Sequence, residues 1–438
     1  MFRPLVFGLF AMLVSAIAVQ ESGYVEFDLE RRPLDPPSTS NLVRRDSDEL
    51  DPKDTAFLNL EIENQHFGYF ADIGVGTPPQ YVSLHVDTGS ADTWVLTPQA
   101  CGNPSQCNIM KCMQNAFVPA ESKTIKRSIQ KLFKVRYYDK TTTTGDYFTD
   151  TVHIGGSVVT GQMMGLSYNT SIPYGILGLG YKSMVGLYYK VGDVYNNLPV
   201  LMYRQGLTNT IAYSMWLGKL GTAKASLLFG AIDTSKFIGN LKSIPLLKDK
   251  MRDEYTYFAI PLIGINTVTR SDTHRIDLND KPVKVYLDSG ATLSYLPHDL
   301  TQRIWRDVGA VYFYRYNAPM IPCEKADEGE LRFKLGTKGH VITVPMSEMV
   351  LYPGLIPMAE DLVGEAGGWQ GKNLCQFGIR NSTSPSNLLG DTFLRSAYVV
   401  YDLVNHEVSI AQARKDATKR AVIVPFPSYG ARLPEMDL

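Results

Sequence analysis

Leu84-His85-Val86-Asp87-Thr88-Gly89-Ser90 has a counterpart 201 residues further on, Val285-Tyr286-Leu287-Asp288-Ser289-Gly290-Ala291-Thr292. Each is an apolar run of strand character that ends in Asp, followed by a hydroxyl residue and Gly. One such triplet would be ordinary turn chemistry. Two carry more, because each is followed later by two apolar residues and a Gly. Ile176-Leu177-Gly178 ends 91 residues after Asp87, and Leu388-Leu389-Gly390 ends 102 residues after Asp288. The chain reads as one unit duplicated, with one carboxylate from each half.

Composition agrees with a large, strand-rich molecule. The 438 residues suffice for two or three domains, and 44% are hydrophobic. Gly (36), Tyr (25) and Pro (25) suit short strands joined by turns. Forty-three basic and 44 acidic residues leave a net charge of −1, so nothing favours a nucleic-acid partner. The seven His have no metal-ligand spacing, and His85 reads as a buried, satisfied imidazole. The Gly-x-Gly of Gly178 to Gly180 lacks the Lys-Ser/Thr and helix pattern of a nucleotide loop. No metal and no cofactor are expected.

The N-terminus has the pattern of a secretory signal over residues 1–18. Arg3 precedes an apolar run, Leu5 to Val14, and Ala16-Ile17-Ala18 supplies a cleavage site. A membrane anchor would need ~20 apolar residues, which this run does not reach. Glu21 to Leu50 follows as a polar, Pro-rich stretch that cannot fold alone, with Arg31-Arg32 and Arg44-Arg45, and residues 19–45 are set as a propeptide. The pattern predicts a propeptide cut after Arg45. The competing reading is a tail with incidental Arg pairs. A secretory route permits disulfides. Cys323 and Cys375 are expected to close a loop in the second half. Cys101, Cys107 and Cys112 compete for one bridge in the first half, with Cys101–Cys112 preferred. Asn169-Thr170-Ser171 and Asn381-Ser382-Thr383 are candidate glycosylation sites.

Strand patterns dominate from Phe57 onward. Phe67 to Val75 and Tyr81 to Val86 flank a turn, Gly76-Thr77-Pro78-Pro79-Gln80. Phe133 to Tyr137 alternates apolar and basic, Thr141 to Gly145 is read as the turn, and Phe148 to Ile154 as the return strand of a hairpin. Pro297 to Val308 is the best helix, with Leu300, Ile304 and Val308 on one face. The halves are set at 46–240 and 241–413. Residues 414–438 form a C-terminal extension, basic and then apolar with three prolines.

In this order, Gly-Thr-Pro-Pro-Gln (76–80), Asp-Thr-Gly-Ser-Ala-Asp-Thr-Trp (87–94), the hairpin with Tyr137, Gly-Ile-Leu-Gly-Leu-Gly (175–180), Asp-Ser-Gly-Ala-Thr (288–292) and Asn-Leu-Leu-Gly-Asp-Thr-Phe-Leu-Arg (387–395) resemble the pepsin-like aspartic proteases, and secreted fungal members in particular. The resemblance implies an all-β, bilobed pepsin-like fold with a substrate cleft between two pseudo-twofold-related lobes. It implies catalysis by Asp87 and Asp288 on Ψ-shaped loops completed by Gly89 and Gly290. The Thr88 and Ser289 hydroxyls would bond the opposite lobe's backbone, and Ser90 would donate to Asp87. Ala291 departs from the stomach enzymes, which carry a hydroxyl there. The hairpin would be the flap over the cleft, with Tyr137 bonded to the Trp94 indole. Tyr138 is the alternative register, and core packing is the alternative role for Trp94. Fungal flaps read Tyr-Gly-Asp-Gly-Ser, and both of those glycines are replaced in Tyr137-Tyr138-Asp139-Lys140-Thr141.

Two neighbouring carboxylates resist double ionisation, so one keeps its proton; the aspartic-protease pair is the established illustration of this effect. One group can then take a proton from water while the other hydrogen-bonds the scissile carbonyl, with no metal or acyl-enzyme. The leading expectation is a secreted aspartic endopeptidase with an acidic optimum. It would be monomeric, act on polypeptides, bind pepstatin-type inhibitors and have no stable membrane anchor. A vacuolar or lysosome-like location is the alternative. The competing function is a catalytically silent peptide- or inhibitor-binding protein of the same fold. A membrane-anchored processing protease would need a hydrophobic tail, which Arg420 to Leu438 does not offer.

Overall fold

The computed structural model describes residues 24–33, 67–101, 116–138, 140–222, 224–270, 272–356, 369, 372–383, 386–415 and 420–432. The regular structure of the described chain is mostly strand, with a few short helices. One large sheet begins with Phe237–Pro245, Glu407–Ala413 and Ala397–Asp402 and continues through Ala212–Trp216 and Lys224–Phe229. It then passes Phe67–Val75 and Gln80–Asp87 to end at the flap hairpin. The second half builds an eight-stranded sheet around Ala259–Val268 and Val283–Leu287, with a four-stranded sheet beside it. The fold is the bilobed, all-β arrangement that the resemblance implies.

The two halves repeat one piece of topology. Gly175–Gly178 runs parallel to Gln80–Asp87, placing Gly178 opposite Asp87. Asn387–Leu389 runs parallel to Val283–Leu287, placing Leu389 opposite Leu287. The Gly that ends each segment is sterically required. A Cβ on Gly178 would lie 2.6 Å from the Ala91 carbonyl carbon, and one on Gly390 would lie 2.2 Å from the Ala291 carbonyl oxygen. Each Gly therefore lets its strand thread under the loop that carries the Asp.

Val25–Pro33, inside the stretch expected to be a propeptide, is a strand of the central sheet. It pairs antiparallel with Lys224–Phe229 on one side and Phe67–Val75 on the other. Arg31 and Arg32 lie within it, opposite Tyr69 and Gly68. A segment too polar to fold alone can still do so when both neighbours offer backbone partners. The Arg44-Arg45 pair lies outside the described residues.

The flap hairpin departs from the expected boundaries. Its strands are Lys126–Arg136 and Thr142–Ile154, so the turn is at 137–141 and not Thr141 to Gly145. Gly145 sits within the return strand, where a Cβ would meet the Leu166 carbonyl oxygen at 1.9 Å. It serves a close approach of backbones and does not mark a turn. His298–Val308 is helical and buries Leu300, Ile304 and Val308, with Gly309 in the left-handed region at its end. The C-terminal extension is docked on the body. Ile423–Pro425 pairs with Ala231–Asp233, Phe426 is buried, and its backbone N–H donates to the Gly230 carbonyl at 2.9 Å.

Candidate active site

Asp87 and Asp288 stand at the ends of their strands with their carboxyls side by side. The glycines beside them make this approach possible. A Cβ on Gly89 would meet the Asp288 carboxyl carbon at 2.6 Å, and one on Gly290 would meet Asp87 Oδ1 at 2.5 Å. Each Asp also accepts from the glycine N–H two residues on, Gly89 at 2.8 Å and Gly290 at 2.9 Å.

The loops are braced by exchange between the halves. Thr88 Oγ1 donates to the Leu287 carbonyl at 2.9 Å and accepts from the Ser289 N–H at 3.0 Å. Ser289 Oγ donates to the Val86 carbonyl at 2.9 Å and accepts from the Thr88 N–H at 3.2 Å. All four bonds are buried, where a lost partner costs about 1–3 kcal/mol of desolvation.

The two carboxyls are not equivalent. Burial pushes both above the usual carboxylate range. Ser90 Oγ donates to Asp87 Oδ2 at 2.5 Å, and this bond with the Gly89 N–H pulls Asp87 back down. Asp288, partly open to the cleft, has Ala291 in place of a hydroxyl. The neighbouring Asp87 charge adds to burial and drives Asp288 well above the usual range. Of the two, Asp288 is the one that holds a proton more readily.

The cleft above the pair holds about 870 Å³. Tyr137 reaches into it from the flap, and its hydroxyl accepts from Trp94 Nε1 at 2.7 Å. Burial and the Asp87 charge hold that phenol well above its ordinary pKa, so it stays a neutral hydrogen-bonding group. Phe133, Tyr137 and Trp94 belong to one apolar cluster under the flap. At the flap tip Lys140 adopts φ 72°, the left-handed conformation usually given to Gly.

Sequence reasoning gave Asp92 no role. It is buried and accepts from Tyr195 Oη at 2.6 Å, Gly186 N at 2.6 Å and Tyr147 Oη at 3.0 Å. It ties the short helix Gly186–Val191 to the flap strand and the Asp87 loop. Its position inside the quoted Asp87–Trp94 motif was the only available signal.

The eukaryotic aspartyl protease family model matches residues 68–413. The chain belongs to this family. It is 34% identical to the "Probable aspartic-type endopeptidase OPSB" of Arthroderma benhamiae over 402 residues, covering 91% of this chain and 78% of the relative. The protein of that description from Aspergillus fumigatus matches at 34% over 408 residues, covering 91% and 78%. "Secreted aspartic protease 8" of Candida albicans matches at 32% over 361 residues, covering 82% and 78%. The protein is thus an enzyme of the aspartic endopeptidase class.

Other expected features of this aspartyl protease fall as follows. Cys323 and Cys375 form a disulfide across 52 residues. The Cys101–Cys112 pairing lies outside the described side chains. Asn169 is exposed, whereas Asn381 is partly buried with its Oδ1 enclosed. His85 is buried, but the expected satisfied imidazole is not found. Its Nε2 has no protein partner among the described residues, and the ring packs between Phe70 and Tyr174. Burial lowers its pKa to about 4, so it is neutral above that pH. No group of three His, Cys, Asp or Glu among the described residues could hold a metal, and none of the described helices is long and apolar enough to cross a membrane.

Proposed function

We propose that the protein is a secreted aspartic endopeptidase that hydrolyses peptide bonds through a water activated between Asp87 and Asp288, with an acidic optimum. The observation that carries this reading is the asymmetric, cross-braced carboxyl pair, with a hydroxyl donor on Asp87 and none among the described residues on Asp288. Ionised Asp87 takes a proton from the water as its oxygen bonds to the scissile carbonyl carbon. Protonated Asp288 donates to the carbonyl oxygen, giving a neutral tetrahedral diol. Asp87 then protonates the amide nitrogen, the C–N bond breaks, and a diol hydroxyl returns its proton to Asp288. Tyr137 covers the diol from the flap and limits water access.

Secretion is supported by residues 1–18 and by relatives named as secreted. Residues 19–45 act as a propeptide, the enzyme works as a monomer, and pepstatin-type compounds occupy the cleft. The test is digestion of a peptide library by the purified protein at pH 3 to 7, with and without pepstatin. Pepstatin-sensitive cleavage at acidic pH is expected. Absence of cleavage by correctly folded, processed protein would remove the reading.

A further inference from the structure

Tyr137 and Tyr138 are adjacent, yet they fasten the flap to opposite halves of the molecule. Tyr137 bonds Trp94 in the first half. Tyr138 crosses the cleft. Its hydroxyl lies 3.0 Å from Ser382 Oγ, and its ring stands edge-on to Tyr295 with centroids 5.9 Å apart.

The far side of this bridge is firmly held. Tyr295 lies in the strand Ser294–Leu296, between Ile379–Asn381 and Asn387–Leu389. The Ser382 N–H donates to the Leu296 carbonyl at 2.8 Å, and Ser382 Oγ donates to the Ser386 carbonyl at 2.7 Å. With its proton so used, the Ser382 oxygen is the acceptor and Tyr138 the donor. The flap side is the smaller anchor, a tight turn closed by Tyr137 N to Thr141 O at 2.9 Å. Tyr138 is 40% exposed, so water competes for its hydroxyl and the contact is one that can open. Tyr138 and Tyr295 line the same cleft as Asp288.

We propose that Tyr138 is a specificity-determining gate on the Asp288 side of the cleft. A peptide enters by parting Tyr138 from Ser382 and from the Tyr295 ring. It best recovers the lost contacts with an aromatic side chain laid against Tyr295 under the Tyr138 ring. The preferred substrates therefore carry an aromatic residue on that side of the scissile bond. This inference rests on the endopeptidase reading, and its test separates the two.

The test uses the full secreted chain with Tyr138→Phe, Ser382→Ala and the double variant. Ser382→Ala keeps the Asn-x-Thr sequence intact. Removing either end of the hydrogen bond is expected to lower KM about two- to fivefold with kcat little moved, and the double variant is expected to go no lower. Hydrogen exchange of the flap amides should quicken in all three. Tyr138→Ala should erase the preference for a Phe-containing peptide over its Ala counterpart. An unchanged or raised KM in both single variants, additive effects in the double, or unchanged flap exchange would each overturn the gate. If the wild-type protein cleaves no peptide, the endopeptidase reading falls by itself, and the exchange rates still decide whether Tyr138 latches the flap.

Discussion

Ser90 donates its hydroxyl to Asp87 at 2.5 Å, while the residue three places after Asp288 is Ala291, which has no hydroxyl to give. The two Asp loops share their glycine and cross-brace bonds and differ at this contact, which favours the proton on Asp288.

It also sets a pH limit. A donor at position 291 would favour ionised Asp288 and lower its pKa. A hydrogen bond to a charged group is worth roughly 1.5–3 kcal/mol at most, and one pKa unit is about 1.4 kcal/mol. Ala291→Thr should therefore move the basic limb of kcat/KM against pH downward by on the order of one unit. Superimposable profiles would remove the argument. The sign for stability follows from the same raised pKa. The folded pair holds a proton that the unfolded chain has released, so the fold loses stability as pH rises from the ordinary carboxylate range through the Asp288 pKa.

Asp87→Asn and Asp288→Asn should each abolish nearly all peptidase activity, because an amide can neither take nor give the proton. Both variants should keep the wild-type circular dichroism spectrum. Appreciable turnover by either, measured after excluding contaminating protease, would refute the roles assigned to the pair.

For the flap, Tyr137→Ala removes the Trp94 bond and the hydroxyl above the carboxyls. A loss on the order of a hundredfold in kcat/KM is expected from misplaced flap geometry. Tyr138→Ala should cost much less. If Tyr138→Ala proves the more damaging change, the roles of the neighbours are reversed.

Processing can be followed by N-terminal sequencing. A cut after Arg45 should leave Asp46 as the new terminus. Because Val25–Pro33 is hydrogen-bonded along both edges, the released segment should co-elute with the enzyme in native gel filtration and separate in denaturant. Fully active protein that begins at Val19 would defeat the cut, and a product free of the segment would defeat its retention.

Phe426 is 1% exposed and packs in a cluster with Trp216, Ile232, Phe237 and Tyr398. Phe426→Ala should destabilise the fold by ~3 kcal/mol or more. Denaturant titration measures this, and an unchanged midpoint would show the extension to be dispensable.

The carboxyl pair and its loops were legible because their geometry admits few residue types. Only Gly fits where Gly178 and Gly390 pass under the loops, and only a short hydroxyl side chain can both donate and accept as Thr88 and Ser289 do. Features decided by distant partners were not legible. Val25–Pro33 looks too polar to fold until its two neighbours are known. Gly145 looks like a turn until Leu166 is seen above it. Tyr138 meets Ser382 across 244 residues, which no local pattern announces.

Thr88 holds the strand that carries Asp288, and Ser289 holds the strand that carries Asp87. The carboxyl pair is therefore a seam, and neither half owns it. An isolated half would keep its acid but lose the brace that aims it. A chain carrying only one half could regain the brace only by association with a second half.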